Sequence, residues 1–253
     1  MAREGIHFSP EGKKTFIPLE INPNVFNNLI YELGVSSSLS FYDVYSVDDP
    51  DLLSTLPRPV MALICIIPAD VYYKVREAEG TKFAKDGMTY DGAGAEEPIV
   101  WYHQTIGHAC GLIAMLHCVA NGEAREFVEK GTTLHDFILE STPLKPTARA
   151  ACLYDSSAME RAHMKVAETG DSPHPSAAEP CPFHFQAYVK GKDGHLWELE
   201  GIPDGPLDLG QLEEDADMLS LEALGKGFKR FLNASDGNAN FSLIALARRP
   251  VEE

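Results

Sequence analysis

The sequence predicts an α+β fold in which helices flank a largely antiparallel central sheet. Apolar residues recur at helical spacing in some segments and at strand spacing in others, and the two kinds of segment are mixed along the chain. The nearly uninterrupted apolar run at 60–67 has the length of a strand that is buried on both faces. Late in the chain, strand-like segments at 183–189 and 195–200 flank the turn 191–194, whose Asp-Gly pair is typical of a hairpin.

The N-terminal half contains the clearest helix boundaries of the sequence. Asn22 is a good N-cap, Pro23 suits the first helical position, and Gly34 suits the position after the last turn. Apolar residues between them follow helical spacing, so we expect a helix here. The remaining predicted elements of this half are a strand over 41–47, the buried strand over 60–67, a helix over 69–85 and a mobile loop over 86–98.

The second half is predicted to place several helices before the hairpin and one after it. Its segment 168–182 is rich in proline and small polar residues, which predicts an exposed and poorly ordered loop. The predicted elements are helices over 105–120, 133–140 and 146–167, the hairpin, an amphipathic helix over 220–232 and a closing strand over 241–247.

Composition and charge restrict the class of protein. The 253 residues include 44% hydrophobic residues, enough to build a sizeable core, and they fit a single large domain. The formal net charge of -17 disfavours binding to nucleic acid or to an anionic membrane surface. The same charge would attract a basic partner, most strongly at low salt.

The thiol content and the lack of targeting signals indicate a reducing compartment. The first residues contain no apolar stretch typical of a signal peptide, and no apolar run is long enough to cross a bilayer. The odd, sparse set of cysteines lacks the spacing of a disulfide framework, so free thiols are expected. We therefore predict a cytoplasmic protein, with the nucleus as a second location.

The segment 104–111 is the part of the sequence that indicates catalysis. Cys110 lies at the start of a predicted helix, where backbone N–H groups and the helix dipole would lower the pKa of its thiol. Gly111 would let backbone and substrate approach closely. Gln104 could donate its amide N–H to the oxyanion that forms when a thiolate attacks a carbonyl. The alternative is that Cys110 is an ordinary core cysteine on an apolar helix.

A catalytic thiolate needs a base, and His184 is better placed for that role than the other histidines. It opens the first hairpin strand directly after the loop 168–182, at the mouth of a possible cleft. A carboxylate on the facing strand, from Glu198 or Glu200, could orient its ring, since alternate residues of a strand share a face. Cys181 and His184 could also form half of a zinc site, but no second pair at ligand spacing follows, so no metal or cofactor is predicted.

Five blocks of the sequence, in the same order, resemble the ubiquitin C-terminal hydrolases, a family of papain-like cysteine deubiquitinases. The resemblance extends from about residue 15 to residue 247. The blocks are 18–23, 41–45, 56–60, 104–111 and 193–201.

The resemblance implies a catalytic role for four residues. Cys110 would be the nucleophile, His184 the general base and then acid, Gln104 the oxyanion donor and Glu200 the third member of the triad. Most family members have Asp where this chain has Glu200, and the hairpin turn is one residue longer here. The added methylene of glutamate moves the carboxylate by about 1 Å, so its contact with His184 requires an adjustment of the backbone or of the ring.

The resemblance also implies a fold and a substrate. Residues 1–253 would form a single catalytic domain with a backbone knot and a crossover loop at about 168–182, and they would match the short members without a C-terminal extension. A monomer would bind the C-terminal tail of ubiquitin and release small adducts or short peptides. Two rival hypotheses are a ubiquitin-binding protein without catalysis and a hydrolase for another ubiquitin-like modifier.

Overall fold

The computed structural model describes residues 7–8, 12–172, 177, 179 and 181–250. The helices are α1 Pro23–Leu33, α2 Pro50–Ser54, α3 Ala69–Glu79, α4 Cys110–Val119, α5 Thr133–Ser141, α6 Pro146–Asp155, α7 Ser157–Ala167, α8 Leu221–Lys226 and α9 Lys229–Asn233, with short 3-10 turns at Ala84–Asp86 and Glu123–Phe127. The strands are β1 His7–Phe8, β2 Lys14–Thr15, β3 Leu39–Asp43, β4 Val60–Pro68, β5 Phe183–Lys190, β6 His195–Leu199, β7 Leu207–Gln211 and β8 Ser242–Arg248.

Six strands form the main sheet in the order β3-β8-β4-β5-β6-β7, and every neighbouring pair is antiparallel. The central strand β4 is buried almost throughout, as the apolar run predicted. Helices cover both faces of the sheet. These features confirm the predicted α+β class with its largely antiparallel sheet. The predictions of a single domain and of a backbone knot stay predictions.

Two hydrophobic cores lie on opposite faces of this sheet, because side chains alternate along each strand. In β4, Ile64 packs into the core that contains α1 and α4, whereas Leu63 packs into the core that contains α3, α8 and α9. In β5, Phe185 and Tyr188 divide in the same way. The helix that carries Cys110 and the helix α3 therefore cover different faces of the sheet.

Several predicted boundaries are confirmed by specific backbone contacts. The Asn22 side chain accepts a hydrogen bond from the Asn24 N–H at the start of α1, and Gly34 ends that helix at φ 102. The hairpin of β5 and β6 closes through Gly191–Gly194, as its Asp-Gly signal predicted. The strands expected at 41–47 and 241–247 are present as β3 and β8, with shifted ends.

Four predicted helices differ from those in the structure: two are shorter than predicted, and two divide into a pair of helices. Gly80 adopts φ 66 and ends α3 at Glu79, so the helix does not continue to residue 85. The helix expected over 105–120 begins only at Cys110. The stretch 146–167 divides into α6 and α7 at Ser156, whose side chain caps α7. The stretch 220–232 divides into α8 and α9 at Gly227, where φ is -101 and ψ is -109.

Three elements escaped prediction, namely α2, β7 and the two-stranded pairing of β1 with β2. They are short, and their apolar residues are too few to show a period. The expected loop 168–182 lies partly outside the described residues. Within the described ranges, none of the helices combines the length and the apolar composition needed to cross a membrane.

Candidate active site

Cys110 is the first residue of α4, and backbone hydrogen bonds hold the segment before this helix. The Gly107 N–H donates to the Lys14 carbonyl at 2.8 Å, and the Phe16 N–H donates to the Gly107 carbonyl at 2.9 Å. Between this anchor and the helix, His108 adopts φ 55, a conformation that is costly for a residue other than glycine. The anchor at Gly107 and the left-handed conformation of His108 interrupt the helix that the sequence predicted from residue 105.

The thiol of Cys110 is more difficult to ionise than the sequence predicted. Burial raises its pKa to about 12, and the neighbouring Cys181 and Glu200 act in the same direction. The backbone N–H groups of Gly111 and Phe185 favour the thiolate but do not outweigh the burial. The prediction of a lowered pKa at the helix start was therefore wrong for the free protein, because loss of hydration exceeds the contribution of the N–H groups.

Gly111 packs closely against Leu19. A Cβ at this position would lie 3.1 Å from the Leu19 side chain, so a larger residue would require Leu19 to shift by a few tenths of an ångström. The expectation that Gly111 lets backbone and substrate approach closely stays a prediction.

His184 and Glu200 are brought together by the hairpin of β5 and β6. His184 Nδ1 lies 3.2 Å from Glu200 Oε1, and the two side chains are 11% and 3% exposed. Glu200 follows directly after the last residue of β6. A carboxylate that accepts from Nδ1–H leaves Nε2 as the ring nitrogen available to a reacting group.

Glu198, the other carboxylate that the sequence offered for this role, has different partners. It forms ion pairs with Arg76 and Arg230 and accepts a hydrogen bond from the Tyr188 hydroxyl at 3.1 Å. Its side chain is fully buried in this cluster. The geometry therefore associates Glu200, and not Glu198, with His184.

Two tyrosines of α3 surround the His184 ring, and sequence reasoning missed both. The Tyr72 ring stacks on the imidazole with a centroid distance of 4.0 Å and an interplanar angle of 12°, and its hydroxyl donates to Glu200 Oε2. The Tyr73 ring meets the imidazole edge-on at 5.2 Å. The only signal in the sequence was an aromatic pair directly after the buried strand β4, which did not indicate its partner.

Gln104 is held beside the residues that follow β6. Its backbone N–H donates to the Gly201 carbonyl at 2.9 Å, and the Trp101 indole donates to the Glu200 carbonyl at 2.7 Å. The Gln104 side-chain Nε2 donates to the Ile106 carbonyl at 3.1 Å, while its Oε1 is buried without a hydrogen bond from any residue that the structure describes. The amide nitrogen has a second N–H, which remains for an oxyanion.

The Cys110 thiol and the His184 ring are not hydrogen-bonded to each other within the described part of the chain. His184 faces the α3 side of the sheet, where its ring stacks on Tyr72, whereas Phe185 faces the α4 side. The Phe185 N–H nevertheless favours the Cys110 thiolate, so the sulfur lies close to the strand that carries His184. The structure thus joins His184 to Glu200 by a hydrogen bond, holds Gln104 through the neighbouring Gly201, and places Cys110 close to the strand that carries His184.

An apolar cavity of about 510 Å³ opens next to the start of β5. Leu19, Ile21, Cys181, Phe185 and Phe241 contribute to its lining. Among the described residues, no group of three or more His, Cys, Asp or Glu side chains is arranged to hold a metal ion.

Comparisons with known proteins identify relatives over almost the whole chain. Residues 16–233 match the family described as ubiquitin carboxyl-terminal hydrolase, family 1. The ubiquitin carboxyl-terminal hydrolase isozyme L1 of Equus caballus is 31% identical over 232 residues, which cover 91% of this chain and 97% of the relative. A probable ubiquitin carboxyl-terminal hydrolase of Dictyostelium discoideum is 32% identical over 244 residues, which cover 96% of this chain and 92% of the relative.

Solved structures with the same fold include that of Trichinella spiralis UCH37 bound to ubiquitin vinyl methyl ester. It has a TM-score of 0.64 at 20% identity and covers 92% of this chain and 82% of its own. The catalytic domain of the same protein, with the same ligand, has a TM-score of 0.66 at 21% identity and covers 92% of this chain and 95% of its own.

Proposed function

This chain belongs to ubiquitin carboxyl-terminal hydrolase family 1, and from that membership we propose that Cys110 cleaves bonds at the C-terminal glycine of ubiquitin. The protein is a cysteine-type hydrolase by its family. The single observation that best supports the residue roles is the contact between His184 Nδ1 and Glu200 Oε1 at 3.2 Å. It provides an oriented imidazole on the strand beside the nucleophile.

The first half of the proposed reaction forms a thioester. His184 Nε2 takes the proton of the Cys110 thiol, and the sulfur attacks the glycine carbonyl to form an S–C bond. The imidazolium then protonates the leaving amine or thiol as the bond to it breaks. Because burial raises the pKa of the Cys110 thiol, proton removal by His184 is essential, and Nε2 must come within about 3 Å of the sulfur when substrate binds.

The second half of the reaction releases ubiquitin. His184 Nε2 takes a proton from water, the hydroxide attacks the thioester carbonyl, and the C–S bond breaks. The proton returns to the Cys110 sulfur, which restores the free enzyme. In both halves the oxyanion would accept hydrogen bonds from the Gln104 amide and from the N–H of Cys110, and one such donor typically contributes about 3 to 4 kcal/mol.

The size and charge of the substrate are further parts of the proposal. A crossover loop at about 168–182 would obstruct a folded leaving group, which favours small adducts and short peptides. The net charge of -17 would speed the encounter with the basic face near the tail of ubiquitin. The rival hypothesis of a non-catalytic binding protein supposed that Glu200 cannot orient His184, and the hydrogen bond between the two side chains argues against it.

A hydrolysis assay on ubiquitin with a C-terminal fluorogenic amide tests the proposal. We expect turnover by the unchanged protein, none by Cys110→Ala or His184→Ala, and a measurable remnant with Glu200→Ala. Cys152→Ala is the matched control, because Cys152 is a partly exposed thiol of α6 and should leave turnover unchanged. Full activity of Cys110→Ala would overturn the assignment, and turnover restricted to another ubiquitin-like tail would change the substrate.

A further inference from the structure

Tyr72 touches both partners of the His184–Glu200 pair. Its ring lies flat on the imidazole, with 4.0 Å between centroids and 12° between planes. Its hydroxyl donates to Glu200 Oε2, while Glu200 Oε1 faces His184 Nδ1. Burial raises the pKa of the Tyr72 hydroxyl above its ordinary value, and the Glu200 carboxylate raises it further. The hydroxyl therefore remains a protonated donor.

The two contacts fix a side chain that has more freedom than a shorter carboxylate. Glutamate has one more rotatable bond than aspartate, and a single hydrogen bond would leave the Glu200 carboxylate free to turn about its last torsion. With one oxygen bonded to His184 and the other to Tyr72, the carboxylate plane is fixed at two points. Glu200 is 4% exposed, so water cannot readily take the place of the Tyr72 hydroxyl as the donor to its carboxylate.

The position of Tyr72 is itself determined by groups outside the site. The Arg76 guanidinium lies 5.1 Å from the centre of the Tyr72 ring, and the Phe231 ring of α9 is parallel to it at 6.5 Å. Arg76 is fully buried and forms an ion pair with Glu198. Tyr72 is therefore held by α3 and its packing, and it can impose an orientation on Glu200 and His184.

We propose that Tyr72 is a positioning residue that orients the Glu200 carboxylate through its hydroxyl and the His184 imidazole through its ring face. This inference rests on the proposed function, because it explains how a glutamate serves as the third member of the triad. Tyr72 acts through its contacts with Glu200 and His184 and itself neither transfers a proton nor forms a bond in the proposed reaction.

The test compares Tyr72→Phe, which removes only the hydroxyl, with Tyr90→Phe as a matched control. Tyr90 also donates its hydroxyl to a buried glutamate, Glu97, at 2.9 Å, so Tyr90→Phe removes the same kind of hydrogen bond away from His184. We expect kcat for the fluorogenic ubiquitin amide to fall about tenfold in Tyr72→Phe with KM unchanged, and to stay within about twofold in Tyr90→Phe.

A double-mutant cycle separates positioning from a general loss of stability. In the Glu200→Ala background, Tyr72→Phe is expected to change kcat by less than about twofold, because the hydroxyl no longer has the carboxylate to orient. An equal loss of kcat from Tyr72→Phe in both backgrounds, or no loss in either, would overturn the proposal.

A measurement without turnover keeps the inference independent of the substrate assignment. The proton on His184 Nδ1 should give a slowly exchanging NMR signal in the unchanged protein and in Tyr90→Phe, and the signal should broaden or vanish in Tyr72→Phe. If the unchanged protein fails to hydrolyse ubiquitin, the proposed function is wrong and this signal still decides the role of Tyr72. A signal that is the same in Tyr72→Phe as in the unchanged protein contradicts it.

Discussion

Glu198 and Glu200 are two residues apart, yet the protein surrounds their carboxylates with different groups. Glu198 neutralises Arg76 and Arg230 inside the core on the α3 face. Glu200 accepts from a tyrosine hydroxyl and faces an imidazole at the edge of the same core. The first arrangement stabilises the fold, and the second can hold a base for catalysis.

Substitution should separate these two roles. Glu198→Ala is expected to lower the free energy of unfolding by about 3 kcal/mol, because it leaves the fully buried Arg76 with only the partly exposed Glu79 as counter-ion. Glu200→Ala should lower kcat strongly, while it lowers the free energy of unfolding less than Glu198→Ala does. Urea unfolding and turnover per folded molecule measure the two quantities, and a Glu198→Ala protein that is as stable as the unchanged one would contradict this prediction.

The pKa of Cys110 leads to a pH dependence with a defined sign. A thiol whose pKa is raised to about 12 is protonated at neutral pH, and its thiolate fraction grows about tenfold for each pH unit below that value. Alkylation of Cys110 in the free protein by iodoacetamide, followed by peptide mapping, should therefore accelerate steadily from about pH 7 to pH 9. A high alkylation rate that does not change between about pH 7 and pH 9 would show instead that a thiolate–imidazolium pair exists before substrate binds.

At the scale of secondary-structure elements, the end of β6 is joined closely to the loop that carries Gln104. A Cβ on Gly201 would lie 2.6 Å from the Cβ of Gln104 and 2.8 Å from its backbone nitrogen. Only glycine permits this approach, because real Cβ contacts are not so short. Gln104, the proposed oxyanion donor, and Glu200, the proposed third member of the triad, are thus held close together by backbone packing at Gly201.

Gly201→Ala should therefore displace Gln104 from its position. We expect kcat for the fluorogenic ubiquitin amide to fall by about 100-fold, comparable to the loss of one oxyanion donor. Gly225→Ala is the control, since a Cβ there meets no atom within 4 Å. Equal kcat values for the Gly201→Ala and Gly225→Ala proteins would show that the close packing has no catalytic consequence.

At the scale of the whole molecule, the antiparallel sheet and its helices collect residues that are distant in the chain. Residue 72 lies after β4, residue 110 starts α4, and residues 184 and 200 lie at the ends of the hairpin strands. The pairing of β4 with β5 sets Ile67 opposite His184, which brings the start of α3 to the imidazole. The site therefore depends on strand register as well as on the residues themselves.

The overall charge leads to a prediction about association. With a net charge of -17, attraction of a basic ubiquitin face should be screened by salt, so kcat/KM should fall by about tenfold between about 0.05 M and 0.5 M NaCl, with kcat unchanged. Sucrose at equal osmolality is the control for effects other than screening. A kcat/KM that is constant across the salt series would remove electrostatic steering from the proposal.

Local patterns in the sequence determined a large part of the fold. The Asn22 cap with Pro23 and Gly34 defines α1, the apolar run defines β4, and the Asp-Gly turn defines the hairpin, because each depends on residues close in the chain. Breaks at Gly80, Ser156 and Gly227 were not evident, since the apolar pattern continues across them. Gly80 and Gly227 are compatible with a helix until tertiary packing selects another backbone conformation, and at Gly227 a Cβ would lie 2.9 Å from the Tyr188 ring.

The α+β class, the family resemblance and the four candidate site residues Gln104, Cys110, His184 and Glu200 were all evident in the sequence, and the resemblance favoured Glu200 over Glu198. The folded structure added that Tyr72 bonds to Glu200 and that burial raises the pKa of Cys110. Both additions have one physical origin. Partners across a sheet and the loss of hydration depend on groups far apart in the chain, and no local spacing records how folding brings them together.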